Sequence, residues 1–147
     1  MSEPANVLVV AHKTAATTPL LEAVRERAAQ SPARFHLVVP RQPHGLDKVA
    51  DPEEHGEEQA RRVIADALPK LSAAAGHEVT GDLGDAEPLS AIQDAINLGN
   101  YDELIVSTLP LGVSRWLKLD LISKARGLGL PVTHVLAASH QEAAAGV

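Results

Sequence analysis

The sequence predicts a doubly wound α/β fold, a five-stranded parallel sheet in the order 3-2-1-4-5 with helices on both faces. Three observations predict it. Short apolar runs rich in Val, Leu and Ile alternate with stretches whose apolar residues recur at helical spacing. The runs are continuous rather than alternating with polar residues, as expected of strands covered on both faces. The connections are mostly short, which makes each strand–helix–strand unit a right-handed crossover and puts the switch in strand order between the first and fourth strands. At 147 residues the chain suffices for one domain with one core, assigned to residues 1–137, with an Ala-rich flexible tail over 138–147.

Each element has its own signal. Asn6 to Ala11 is an apolar run of strand length; Thr18-Pro19 reads as an N-cap followed by proline, opening a helix that carries Leu20, Leu21, Val24 and Ala28 and stops before Ser31-Pro32. Arg34 to Pro40 is a second strand, closed by proline. After a long loop over 41–50, Asp51-Pro52-Glu53-Glu54 reads as a capping box. The helix it opens has Ala60, Val63, Ile64, Ala67, Leu68 and Leu71 on one face, with Pro69 expected to kink or split it and Gly76 to end it. Glu78 to Leu83 is a weaker strand whose Gly81 suggests an edge. A helix after Gly84-Asp85-Ala86-Glu87-Pro88 turns Leu89, Ile92, Ala95 and Ile96 inward and stops at Gly99. The fourth strand, Leu104 to Thr108, runs into a Pro/Gly-broken loop and a last helix between Ser114 and Arg126, with Ser114 or Asp120 as its cap. Gly127 to Pro131 then turns into a fifth strand, Val132 to Ala137.

Composition excludes several function classes. A formal charge of −6 without any Lys/Arg run argues against non-specific binding to nucleic acid or membrane surfaces. With no Cys there is no disulfide, thiol nucleophile or thiolate metal site. The first residues carry neither a basic nor an apolar leader pattern, so a cytoplasmic soluble protein is expected. His44, Asp47, Asp51, Glu53, Glu54 and His55 gather in and after the long loop without a zinc-type spacing, and capping accounts for Asp51 and Glu54, so no metal is expected. No nucleophile elbow, Walker loop or dinucleotide glycine motif occurs, and no catalytic residue is assigned.

Val7 to Ala11, Gly84-Asp85-Ala86-Glu87-Pro88, Tyr101 to Thr108 and Leu130-Pro131-Val132 stand in an order and at spacings that resemble the universal stress protein family over nearly the whole chain. The resemblance implies an adenine-nucleotide α-hydrolase-like fold, a cytoplasmic protein and a dimer through the last strand. Its ATP-binding branch carries G-x2-G-x9-G-(S/T) after the fourth strand, where this sequence has Ser107, Pro110 and Lys118-Leu119 instead. Proline has no N–H and forbids a positive φ, so a phosphate nest of that kind cannot form. The aspartate that the family would place after the first strand falls on His12.

The carboxyl-end crevice at the switch point is nevertheless where a ligand would sit. The candidates are His12, Lys13, Thr14, Ser107, Thr108, Gly112, Ser114 and Arg115, a set with two cations and four hydroxyls suited to a small anion or nucleotide. The same residues also admit a structural role, with Ser114 as a cap, Arg115 solvated, and Thr14, Thr17 and Thr18 in the helix entry. Trp116 would either stack on a base or on a partner surface, or anchor the helix start on the sheet, and His134 is placed at an edge or interface. The first expectation is thus a non-enzymatic stress-type or regulatory homodimer, paired through Val132 to Ala137, without ATP binding in the family's manner and with no required cofactor. The alternative is a nucleotide- or phosphate-binding protein with slow hydrolase activity, taking ATP or AMP on His12, Lys13 and the Ser107 to Arg115 loop.

Overall fold

The computed structural model describes residues 4–41, 52–109, 115–118 and 120–137, with side chains omitted at 52–56, 115 and 118. The elements are β1 (Ala5–Val10), α1 (Thr18–Gln30), β2 (Ala33–Pro40), α2 (Pro52–Ala75), β3 (Thr80–Gly84), α3 (Pro88–Leu98), β4 (Glu103–Thr108), α4 (Arg115–Lys118), α5 (Leu121–Arg126) and β5 (Val132–Leu136). All strand pairs are parallel and the sheet order is β3-β2-β1-β4-β5, as the sequence predicts. No helix among the described residues is long and apolar enough to cross a membrane.

The apolar runs are explained by two cores. Side chains alternate across a strand, so Val7 and Val9 of β1 join Phe35, Leu37, Val39 and Ile105 beneath α1 and α2, while Leu8 and Val10 join Val38, Leu104 and Val106 beneath α3 and α5. A strand that is apolar at every position serves both faces at once. Arg27 of α1 reaches across to Glu103 at the start of β4 in a two-pronged ion pair, 2.8 Å at each oxygen, fixing helix and strand ends together. Gly84 marks the closest approach of α3 to the sheet: a Cβ there would lie 2.7 Å from Ala91 Cβ and from Val38 Cγ1.

Several local expectations are corrected. The helix after β1 starts at Thr18 with Thr17 at the cap position; the Thr17 hydroxyl donates to the Thr14 carbonyl at 2.8 Å and makes no cap bond. α2 runs through Pro69 without a break. Pro69 and Ala65, whose carbonyl loses its partner, are both exposed, so water can take the bond while Ala67 and Leu71 hold the buried face. The third strand begins at Thr80, two residues later than expected. The last helix is divided into α4 and α5 at Asp120, which has φ 58° and makes no side-chain cap bond. Asp120 thus holds the N-cap position of α5, its carbonyl accepting from Lys124 N at 3.2 Å, but without the side-chain bond expected of a capping aspartate. Glu87 caps α3, its carboxylate accepting from Leu89 N at 3.2 Å and Ser90 N at 3.1 Å. Asp51, Gly112, Ser114 and the 138–147 tail lie outside the described residues.

Candidate functional site

The turn after β1 and the end of β4 meet at the switch point, because β1 and β4 are hydrogen-bonded neighbours up to the Val10–Val106 pair. Beyond Ala11 the chain makes two successive tight turns, with Ala15 N donating to His12 O and Thr17 N to Thr14 O, both at 3.1 Å. These turns carry His12, Lys13 and Thr14 over the sheet edge toward Ser107 and Thr108, which end β4. Of the sequence-predicted residues on described elements, Thr14 and Ser107 are brought into direct contact.

Their hydroxyls are spent on one another. Ser107 Oγ donates to Thr14 Oγ1 at 2.7 Å, and the two residues are 1% and 2% exposed. Thr108 Oγ1 is 2.8 Å from His134 Nε2 on β5 and is equally buried. A buried hydroxyl must be partnered, and here the partners are protein groups. The Thr14–Ser107 bond ties the β1 turn to β4, and the Thr108–His134 bond ties β4 to the edge strand. His134 is at the edge, as expected; its partnership with Thr108 has a signal only in the β4–β5 register, where Thr108 faces Leu136 and His134 lies two residues before it.

His12 and Lys13 are in a different state. Lys13 is exposed. The imidazole of His12 has both nitrogens shielded from solvent and neither has a hydrogen-bond partner among the described residues. Burial pushes its pKa below the usual imidazole value, and neighbouring Lys13 pushes it the same way. The neutral ring carries one N–H donor and one acceptor. Arg115 opens α4, its side chain outside the described set. Trp116 packs against the core beneath α3 and α5, the anchoring role of its two expected ones.

His36 on β2 and His134 are also lowered, mainly by burial, with Arg126 adding to the effect at His134 and Asp82 opposing it at His36. The three imidazoles share a consequence for stability. Each binds its proton in the unfolded chain near pH 6.5 but only at lower pH in the fold, so below about 6.5 the unfolded state holds more protons. Stability is expected to fall as pH drops from 7 through this window and to be indifferent to these groups well above it. Urea midpoints between pH 5 and 8 measure this, and a flatter acid limb in His12→Gln assigns its share; a midpoint that rises on acidification contradicts it.

Among the described residues no group of three or more His, Asp or Glu side chains could hold a metal ion. The arrangement presents hydrogen-bonding edges and one exposed ammonium at the carboxyl ends of β1 and β4.

No protein-family model matches the sequence, and no curated protein matches it significantly. Solved structures do match. A universal stress protein in complex with cAMP superimposes with a TM-score of 0.61 at 20% identity, over 91% of this chain and 98% of its own. The universal stress protein from Archaeoglobus fulgidus in complex with dAMP gives 0.59 at 15% identity, over 92% and 99%. A universal stress protein family protein from Arabidopsis thaliana with AMP bound gives 0.61 at 14% identity, over 94% and 95%. Topology, strand order and near-complete coverage of both chains agree: this chain has the universal stress protein fold.

Proposed function

We propose that the chain is a universal-stress-type regulatory protein of the cytoplasm that catalyses no reaction, works as a homodimer, and does not take ATP through a glycine loop. The observation that carries this reading is the closed Thr14–Ser107 bond. The hydroxyls nearest the switch point are already partnered, so a phosphate using them would first have to break buried bonds worth about 1 kcal/mol each. Ser107 and Pro110 stand where the motif of the ATP-binding branch has glycines.

β5 supports the dimer. It is an edge strand, with Leu136 50% exposed on it, and an unprotected edge is a template for another strand. Pairing Val132–Leu136 with its two-fold copy would satisfy the outer backbone groups and cover Leu136. Sedimentation velocity is expected to show a dimer for the wild type and a monomer of unchanged circular dichroism for Leu136→Asp. A monomeric wild type contradicts the dimer.

A second reading, nucleotide binding by a different chemistry, is favoured by one observation. The unpartnered His12 imidazole sits at the junction beside Lys13, and three solved structures of this fold hold cAMP, dAMP or AMP. A neutral imidazole suits a base edge or a hydroxyl, and Lys13 a phosphate. Calorimetric titration with AMP separates the readings: heat that is lost in both His12→Ala and Lys13→Ala establishes the second, and no heat leaves the first standing.

A further inference from the structure

Away from the switch point, the α3 side of the sheet has a part that no helix among the described residues covers. α3 is pressed onto the sheet at Gly84 and Ala91, but along β2 and β3 the sheet face stays open: His36 is half-buried and Thr80 and Asp82 are exposed. A groove of about 330 Å³ runs there, with Asp82 and His36 on the sheet, Asp94, Ala95 and Leu98 on α3, and Tyr101 at the end. The His36 and Tyr101 rings are tilted by 30° to one another with centroids 6.5 Å apart.

Two properties say what the groove fits. Leu98, at its mouth, is 90% exposed, one of two large apolar side chains left so open among the described residues. Its carboxylates are not matched by cations: Asp82 accepts only from Leu83 N at 2.9 Å, and Asp94 has no partner among the described residues. Arg41, at the other end, is drawn toward Glu57 at 3.6 Å. His36 adds no positive charge near neutral pH, since burial lowers its pKa, and the Asp82 charge is felt at both His36 and Tyr101. An apolar contact point beside unmatched negative charge is complementary to a segment that is apolar and basic together.

We propose that this groove docks a basic, amphipathic segment of a partner protein, with an aliphatic side chain seated on Ala95 and Leu98 and a lysine or arginine head group held by Asp82 and Asp94. The lysine or arginine stem covers apolar surface while its head stays wet, so the groove need not be deep. Nucleic acid is a poor occupant for a surface of this sign. The proposal is independent of the ligand reading of the β1–β4 junction.

Tyr101 is the only tyrosine in the chain, so its ring protons report on the groove without ambiguity. The probe is the acetylated, amidated peptide Lys-Leu-Arg-Leu-Lys, titrated into the full chain and followed by NMR. A saturable shift of the Tyr101 ring is expected, weakening as salt is raised. Asp82→Asn and Asp94→Asn should each weaken binding roughly two- to fivefold, as for single exposed charge pairs. Leu98→Ser should also weaken it, and Asp66→Asn on the far face of α2 should not. All four positions are exposed, so the fold is retained. The proposal is overturned if the ring does not shift, if Glu-Leu-Glu-Leu-Glu binds equally, if the groove variants bind as the wild type does, or if agmatine alone binds as tightly as the peptide.

Discussion

Leu8→Ala is expected to destabilise the protein by about 2–5 kcal/mol, the range for emptying a fully buried leucine site. Leu8 is 0% exposed on the central strand and packs with Val38, Leu104, Ile92 and Leu121 between the sheet, α3 and α5. The flanking strands β2 and β4 are held to β1 by hydrogen bonds, which limits how far the cavity can close by collapse. Leu98→Ala makes the contrast, since its side chain lies in solvent and the change should stay within about 0.5 kcal/mol. Urea denaturation measures both. A loss below 1 kcal/mol for Leu8→Ala would mean that the second face of the sheet is not packed as described.

The second large effect is expected at the Thr14–Ser107 bond. Thr14→Val removes the acceptor and strands the Ser107 hydroxyl, while Ser107→Ala removes the donor; each should cost about 1–3 kcal/mol because the groups left behind are buried. The double variant should cost less than the sum of the singles by at least about 0.5 kcal/mol, the mark of direct coupling. Strict additivity would show that the two hydroxyls do not depend on one another, and would free them for a ligand.

The strands and their order were legible because they depend on local pattern. A short β-branched run such as Val7-Leu8-Val9-Val10 reads as a strand covered on both faces, and alternation with short connections points to the rest. The paths of Pro69 and Asp120 were not legible. Whether a proline breaks a helix depends on whether water reaches the freed carbonyl, and whether an aspartate caps depends on its own φ. The crevice was readable as a collection of residue types but not as a state. That Ser107 spends its proton on Thr14, 93 positions away in sequence, is settled only when β1 and β4 are brought side by side. The groove was less visible still, since His36, Asp82, Asp94 and Tyr101 come from four separate parts of the chain; its one sequence trace is Leu98, an apolar residue just before the Gly99 stop.

Native mass spectrometry of the purified protein, alone and with ATP, ADP and AMP in turn, reads subunit number and occupancy together. The proposed function predicts a dimer whose mass does not change with any of the three. One adenine nucleotide per chain, retained from purification or taken up on titration, would contradict it and make His12 and Lys13 the centre of a working nucleotide site.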